Sequence, residues 1–303
     1  MHDLVIFTNE AMAKHNLGLD HPECGARLER ILDMVKNDLP DIPIEKAYPA
    51  NEDTLLLAHP QSHLDSILDN TPFDGYHAID GDTYLSPSSY DAALISVGAS
   101  VQAVKAVMDG KTKTAFALSR PPGHHAEYDT AMGFCLFANA FIAARSSGAR
   151  TLIIDFDVHH GNGTEDLVKR RTAHGHDDIA YASIHQGFGF WPNTGHVDAK
   201  NICNTPLNEG STSDDFRQTI TDKIVPFAKL FDPELIIFSA GFDGHESDPL
   251  GELNMIHDDF KWIVETVRPI CTHIVSILEG GYNLDTLPIS VRHHLQALQN
   301  TEQ

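Results

Sequence analysis

Two histidines stand side by side at His124 and His125, directly after the Pro-Pro-Gly segment 121–123. Histidine has an ordinary pKa near neutral pH, so it both transfers protons and binds metals. The prolines restrict the backbone that leads to the pair, while Gly123 permits conformations that other residues resist. The pattern favours a rigid pair of proton-transfer groups over a single core histidine that only forms hydrogen bonds.

The segment DFDVHHG at 155–161 combines carboxylates and imidazoles at the end of an apolar run. Because side chains alternate along a strand, we expect Asp155, Asp157 and His159 to share one face. Buried carboxylates are costly unless they are paired, hydrogen-bonded or bound to a metal. Asp157 and His159 have the spacing to chelate one divalent ion. An Asp–His hydrogen-bond network without a metal is the weaker alternative.

A catalytic metal needs a third ligand, because such sites usually keep three protein ligands and one open position. The best candidate is Asp243, in the segment FDGHESD at 242–248. Nearby competitors are His245, Glu246 and Asp248. An Asp/His/Asp set is compatible with Zn²⁺ and also with Fe²⁺.

The groups behind each histidine would set their different roles. An aspartate behind one imidazole raises its pKa, and a neutral amide behind the other does not. Asp155 and Asn162 are available for these positions. Tyr282, in LEGGYN at 278–283, could donate a hydrogen bond to a developing oxyanion. These groups together indicate hydrolysis, with a base that deprotonates water and an acid that protonates the leaving group.

Alternating strands and helices would position these residues. Apolar, β-branched runs occur at 4–8, 114–118, 151–157, 179–185, 235–243 and 273–281. Helix-like stretches lie at 88–110, 213–231 and 257–271, with Pro226 and Pro269 expected to kink or shorten the last two. The alternation predicts an α/β fold with a mostly parallel sheet, whose strand ends converge on one ligand site. A helix is expected to start near Thr164, and the pair His293–His294 is expected on the surface of a C-terminal helix.

Composition narrows the classes of protein that remain. The formal net charge is -22, from 43 acidic and 21 basic residues, which argues against direct nucleic-acid binding. No linker or repeat divides the 303 residues, so a single domain over 1–303 is predicted. The four cysteines form no CxxC pair, and we recognise neither a signal peptide nor an apolar run of membrane-spanning length. These features favour the cytoplasm, without a membrane.

The motifs in combination resemble the zinc-dependent histone deacetylase superfamily, which includes acetylpolyamine amidohydrolases and acetoin-utilisation proteins. They span nearly the whole chain: LDHPECGARLERI at 19–31, DGDTYLSPSSYDAA at 80–93, RPPGHHA and GFC at 120–135, DFDVHHGNGTED at 155–166, SAGFDGHESDPLG at 239–251 and EGGYN at 279–283. The resemblance implies a three-layer αβα arginase/deacetylase fold with a mostly parallel central sheet.

The resemblance also implies the roles of the central residues. Asp157, His159 and Asp243 would bind Zn²⁺, with Fe²⁺ as the alternative. His125 would be the general base and acid, and His124, backed by Asp155, its electrostatic partner. Asn162 would stand behind His125 as in class II members, and Tyr282 would polarise the acetyl carbonyl. Asp155 and Ser183 match a structural K⁺ site, and Arg27 would lie by an internal acetate-release channel.

The substrate-binding residues carried over from the family line a tunnel for the acyl-lysine stem. Phe134 and Trp191 would form its walls, with Phe190 close by. Asp82 would hold the substrate backbone, and Leu250 stands where polyamine-specific members can carry glutamate. Gly133 and Gly281 complete the candidate substrate-binding set.

We therefore expect an amidohydrolase that removes acetyl or other acyl groups from the side-chain amine of lysine. Acetylated peptides or proteins are the expected substrates, and an acetylpolyamine or another small N-acetyl amide is the alternative. Other readings are a binuclear manganese ureohydrolase, a catalytically inactive acyl-lysine binder and a DxD phosphatase. Each leaves part of the pattern unexplained, since the DxHxD ligand run is absent and both Tyr282 and the His124–His125 pair are present. Oligomeric state is left open.

Overall fold

The computed structural model describes residues 2–18 and 20–299. Leu19, which begins one of the quoted motifs, lies outside that part of the chain, as do the two ends of the predicted domain. Within the described residues, the main sheet contains eight strands, and a short antiparallel pair lies apart from it. The strands are β1 (His2–Thr8), β2 (Ile44–Lys46), β3 (His77–Ala78), β4 (Tyr84–Leu85), β5 (Thr112–Ala117), β6 (Thr151–Asp155), β7 (Ile179–Gln186), β8 (Ile202–Leu207), β9 (Leu235–Ala240) and β10 (Ile274–Leu278).

Every pairing in the main sheet is parallel, in the order β2-β1-β5-β10-β9-β6-β7-β8. The central strands are buried along their whole length, which explains their continuous apolar sequences. Asp155, the last residue of β6, is level with Ser239 on β9 and with Ser183 on β7. The carboxyl ends of the strands therefore lie along one edge of the sheet.

Helices cover the sheet on both faces. They are α1 (Gly25–Asp38), α2 (Glu52–Leu55), α3 (Gln61–Asn70), α4 (Ser89–Met108), α5 (Asn139–Ser147), α6 (Asn162–Ala173), α7 (Ser213–Thr219), α8 (Val225–Phe231), α9 (His257–Val267) and α10 (Leu287–Gln299). Helix α4 packs on β1, β5 and β10, and α5 lies beside it on β6 and β9. Helix α10 packs on β1 and β5 and against α9. The predicted three-layer αβα fold is confirmed.

The helix predictions hold with local changes. The stretch 213–231 contains α7 and α8 joined by a π-helical turn at Ile220–Ile224, just before Pro226. Because proline lacks an N–H, the irregular turn accommodates it where a continuous α-helix would not. Helix α9 ends before Pro269. Helix α6 begins at Asn162, two residues earlier than expected.

Two expectations from the sequence are wrong. His294 is fully buried rather than on the surface, and its two ring nitrogens contact Ser276 Oγ and the Phe260 carbonyl, each at 2.8 Å. Among the described residues, α4 is also long and apolar enough to cross a membrane, contrary to the sequence prediction. Of that stretch, 67% is buried within the fold, so its apolar side chains serve as core packing.

The strand that carries the acidic motif is shorter than expected. Strand β6 ends at Asp155, and the backbone then turns, so Asp155, Asp157 and His159 do not form one continuous alternating face. Instead, Asp155 Oδ1 accepts a hydrogen bond from the Asp157 backbone N–H at 3.1 Å. The short aspartate side chain competes for a nearby backbone donor and stabilises the turn.

Candidate active site

A three-residue cluster of metal-binding type lies at the carboxyl edge of β6 and β9. One ligand atom from each of Asp157, His159 and Asp243 lies within 4.8 Å of the others. His159 Nδ1 is 3.1 Å from Asp157 Oδ1 and 3.2 Å from Asp243 Oδ2. Both carboxylates are fully buried, so their charges need a cation.

The chemistry of these donors fits a divalent ion. Burial and the neighbouring Asp157 raise the pKa of Asp243 to about 7, since two buried carboxylates repel each other. Burial opposes protonation of His159, yet the surrounding carboxylates raise its pKa to about 9. Two carboxylates and one imidazole suit Zn²⁺ or Fe²⁺, and a bound ion would balance both negative charges.

Glycines give this cluster its space. A Cβ at Gly241 would collide with Asp157 Oδ2, and a Cβ at Gly280 would collide with both Asp157 and Asp243. The backbone N–H of Gly280 donates to Asp157 Oδ2 at 2.8 Å, and the N–H of Val158 donates to Asp243 Oδ1 at 2.9 Å. These bonds orient both carboxylates before any ion binds.

The competing third ligands lie elsewhere. Asp248 accepts hydrogen bonds from the N–H groups of Tyr282 and Asn283, at 2.7 and 3.2 Å, and thereby holds the loop after β10. The His245 ring stacks on His257, with ring centroids 4.3 Å apart. Glu246 is exposed. Within the described residues, only Asp243 joins the Asp157–His159 cluster.

The histidine pair lies beside the metal cluster, and each ring has a different partner. His124 Nδ1 lies 3.1 Å from Asp155 Oδ2, which also accepts the Tyr181 hydroxyl at 2.9 Å. Burial alone would lower the pKa of His124, but Asp157 and Asp155 outweigh it and raise the pKa to about 10. The two carboxylates therefore favour the protonated form of His124.

His125 is held in a neutral form instead. Its Nδ1 lies 2.8 Å from Asn162 Oδ1, and Asn162 Nδ2 donates to Glu127 Oε1 at 2.7 Å, which identifies the amide oxygen. An amide oxygen only accepts, so Nδ1 carries the proton and Nε2 has a free lone pair. Burial, His124 and His159 hold the pKa of His125 well below its usual value. This ring has the electronic state of a general base.

A cavity of about 260 Å³ opens onto His125 of the pair and His159 of the metal cluster, but not onto His124. It is lined by Asp82, His125, Gly133, Phe134, His159, Phe190, Trp191, Leu250 and Tyr282. The structure thus brings together the residues predicted to bind substrate, except Gly281. Gly281 has φ +117° and its carbonyl accepts from Arg27 Nε at 2.6 Å, so it shapes the turn that carries Tyr282.

Aromatic rings form the walls of this cavity. The Trp191 ring meets His125 edge-on at 4.7 Å, and the Phe190 ring stacks on His159 at 5.2 Å. Phe134 and Tyr282 lie edge-to-face at 5.8 Å.

A Cβ added to Gly133 would lie 2.5 Å from His125 and 2.6 Å from Trp191, so only glycine fits between these rings. Flat rings around a narrow space suit an extended aliphatic chain.

The Tyr282 hydroxyl is a neutral hydrogen-bond donor. Burial raises its pKa well above the usual value, with Asp243 and Asp157 adding to the effect. The Arg27 guanidinium lies over the ring at 5.0 Å. Arg27 is itself buried and bridges Glu23 Oε1, at 3.1 Å, and the Glu279 carbonyl, at 2.5 Å. Tyr282 therefore stands between the cavity and a buried charged network.

The two residues of the predicted potassium site are adjacent across β6 and β7. Asp155 and Ser183 are register partners and both are fully buried. Ser183 Oγ lies 2.8 Å from His185 Nδ1, while both carboxylate oxygens of Asp155 take part in hydrogen bonds. The potassium site itself stays a prediction.

Glu279 was missed in the sequence, although it lies within the quoted EGGYN motif. Its buried carboxylate accepts the backbone N–H groups of Gly123 at 2.6 Å and of His124 at 3.1 Å. Ser239 Oγ donates to its other oxygen at 2.9 Å. Burial raises the pKa of Glu279 to about 7, although the nearby His124 opposes the rise. The sequence does show a glutamate directly after an apolar strand. It does not show that the partner of this glutamate, Gly123, lies 156 residues earlier in the chain.

Comparisons with known proteins agree with this site. Residues 21–298 match the histone deacetylase domain. A histone deacetylase-like amidohydrolase of Pseudomonas aeruginosa is 34% identical, over 89% of this chain and 73% of that protein. Polyamine deacetylase HDAC10 of Danio rerio is 33% identical, over 84% of this chain but 41% of that protein. The crystal structure of the HDA15 HD domain superposes with a TM-score of 0.92 at 30% identity, covering 98% of this chain and 91% of that one.

The parallel sheet with an Asp/His/Asp cluster and a histidine pair at its carboxyl edge defines an α/β hydrolytic site of the deacetylase type. The chain belongs to the histone deacetylase family. The resemblance stated from the motifs is confirmed, and membership supports an amide hydrolase.

Proposed function

We propose that this protein is a zinc-dependent deacylase that removes acetyl groups from the side-chain amine of lysine in peptides or proteins. The observation that carries the proposal is the arrangement at the end of the cavity. There a neutral imidazole, His125, and a neutral phenol, Tyr282, line the same space as His159 of the metal cluster. A base, an oxyanion donor and a set of metal ligands at one point would together supply the parts of a metal-dependent amide hydrolysis.

Each side chain has a distinct part in the reaction. When bound by Asp157, His159 and Asp243, a zinc ion supplies Lewis-acid polarisation and makes water more acidic. His125 Nε2 takes the proton of the attacking water and then delivers it to the leaving amine. Tyr282 donates a hydrogen bond to the carbonyl oxygen as negative charge develops there. His124, protonated beside Asp155, keeps positive charge close to the reacting centre.

The lining of the cavity supports lysine over a polyamine. Leu250 adds an apolar side chain where a second ammonium group would need a carboxylate. Asp82 is partly exposed at the cavity, where it can accept from the backbone of a peptide. The name of one relative, a polyamine deacetylase, keeps acetylated polyamines as the second candidate. Turnover of acetyl-lysine peptides, acetylspermidine and acetylputrescine on zinc-loaded protein decides between them. Faster turnover of the acetylpolyamines would contradict the proposal.

The proposal extends to the domain organisation, a structural ion and the cellular compartment. The whole chain would act as one catalytic domain, with a structural K⁺ ion at Asp155 and Ser183. The four cysteines are unpaired and three of them are buried, which supports a reducing compartment such as the cytoplasm.

Replacing Tyr282 by phenylalanine is expected to lower kcat by about 10²–10³-fold, while KM changes little. The phenyl ring keeps the packing against Phe134, so only the hydrogen bond to the oxyanion is lost. Steady-state kinetics on an acetyl-lysine peptide measures both constants. A rise in KM with unchanged kcat would assign Tyr282 to ground-state binding instead.

Glu279 is expected to act as a positioning residue for the histidine pair. Replacement by alanine leaves the Gly123 and His124 N–H groups without their buried acceptor, so kcat should fall by about tenfold or more while KM is retained. Glu279→Gln keeps one oxygen acceptor and is expected to restore most of kcat. Equal loss of kcat in both variants, at equal thermal stability, would argue against a positioning role through these hydrogen bonds.

A further inference from the structure

A second concave surface lies on the side of α5 and α6 and shares no lining residue with the substrate cavity. It encloses about 390 Å³, within the range of small-molecule sites. Three arginines, Arg145, Arg170 and Arg171, line it together with His174 and His176. We call this surface the arginine groove. This cluster of arginines contrasts with the overall composition of the chain, which has 43 acidic residues and only 21 basic ones.

Two of the three arginines already have carboxylate partners. Arg170 Nε lies 2.9 and 2.8 Å from the two oxygens of Asp166, and its guanidinium lies over the Tyr128 ring. Arg171 forms a two-point contact with Asp178 at 2.7 and 2.6 Å. These pairs hold their guanidinium groups in place along the groove and leave little net charge of their own.

Arg145 differs from the other two. Among the described residues no carboxylate or carbonyl contacts its guanidinium, although the side chain is partly buried. Burial and the nearby Arg171 lower its pKa, because a second cation lies close by. Asp178 attracts Arg145 electrostatically, but its carboxylate is already paired with Arg171. A further anion in the groove would therefore stabilise this partly buried cation. One negative charge is enough to balance it.

The floor of the groove is apolar. Ala58, Phe141 and Leu167 are buried beneath it, and Tyr128 and Leu57 form partly exposed walls. Such a floor favours a ligand with a hydrocarbon body over a fully hydrated ion. We propose that the arginine groove binds a small organic anion with one negative charge and an apolar body, such as a medium-chain carboxylate, with Arg145 as its charge partner.

Octanoate is a suitable probe, with octanol, acetate and inorganic phosphate as matched ligands. Octanol keeps the chain without the charge, acetate keeps the carboxylate without the chain, and phosphate is a hydrated polyanion. Isothermal titration calorimetry on the purified full chain is expected to give saturable binding of octanoate, at least about tenfold tighter than any of the other three. Calorimetry needs no turnover, so the result does not depend on the proposed deacylase activity.

Charge-removing variants locate the binding. Arg145→Met keeps an apolar side chain of similar length and is expected to weaken octanoate binding by about tenfold, whereas Arg145→Lys retains most of it. Arg30→Met removes the same charge from the exposed side of α1, outside the groove, and should bind like the unchanged protein. Thermal unfolding of each variant checks its folding.

Three results would overturn the proposal. Octanoate that binds Arg145→Met as tightly as the unchanged protein would place the binding elsewhere, for example in the substrate cavity. Phosphate binding as tight as octanoate binding would contradict the proposed preference for a ligand with an apolar body. Absence of octanoate binding to the unchanged protein would reject the site.

Discussion

Replacement of His125 by alanine is expected to leave the metal bound and to lower kcat by about 10²–10⁴-fold, the usual contribution of a positioned general base. His125 contacts none of the metal-cluster carboxylates directly, whereas its Nδ1 is held by Asn162 at 2.8 Å. Its removal therefore takes away the proton acceptor without taking away a ligand. Zinc content by elemental analysis and kcat on an acetyl-lysine peptide measure the two effects separately.

His293→Ala is the matched control, because this histidine is partly exposed on α10 and pairs with Asp258 at 2.9 Å. It should retain both activity and metal. Near-full activity of the His125 variant would show that another group takes the proton, and the assignment of the general base would be wrong. Loss of zinc in that variant would instead make His125 part of the metal environment.

Replacement of Asp243 by asparagine is expected to abolish measurable turnover through loss of the metal. Asp243 accepts a hydrogen bond from the Val158 N–H at 2.9 Å. The amide oxygen of asparagine can accept the same bond, so the turn after β9 should keep its shape. The change removes one of the two negative charges that would hold the ion. Since loss of a residue that only supports a ligand weakens metal affinity by about 10–100-fold, loss of a ligand charge should exceed about 100-fold.

The measurement is zinc affinity by competition with a chelator, followed by turnover at the zinc concentration that just loads the native protein. Glu246→Gln is the control, because this exposed glutamate is three residues away and outside the cluster. Unchanged zinc affinity in the Asp243 variant would reject Asp243 as a ligand. Full turnover of the metal-free native protein would reject the metal-dependent mechanism altogether.

Local residue patterns indicated an α/β fold with a mostly parallel sheet, the Asp/His/Asp cluster and the histidine pair, whereas the substrate-binding residues were carried over from the family resemblance. Continuous apolar runs bounded by helices indicate parallel strands, because a strand covered on both faces needs apolar residues on both. The polar residues after those strands had to meet, since parallel strands end at one edge of the sheet. This reasoning brought Asp157, His159 and Asp243 together before any distance was known.

Strand boundaries and exposure did not follow from the same patterns. Strand β6 ends at Asp155 because that side chain accepts the Asp157 N–H, a competition between side chain and backbone that periodicity does not encode. His294 looked like a surface residue beside His293, yet packing of α10 places it on Ser276 and Phe260. Helix α4 is apolar enough to resemble a membrane span, and only its position on the sheet makes it a core helix.

The sequence by itself determined which chemical groups are present and which edge of the sheet they occupy, since residue type and period depend on near neighbours. Only the tertiary structure decided how closely these groups approach one another and which distant residues support them. It joins Asp243 to the cluster and places Asp155 behind His124 and Asn162 behind His125, as expected, and it brings Glu279 to the backbone of the histidine pair, which was not expected. The paired residues lie 31 to 156 positions apart in the sequence. Strand order and loop packing bring such residues into contact, and local propensity does not.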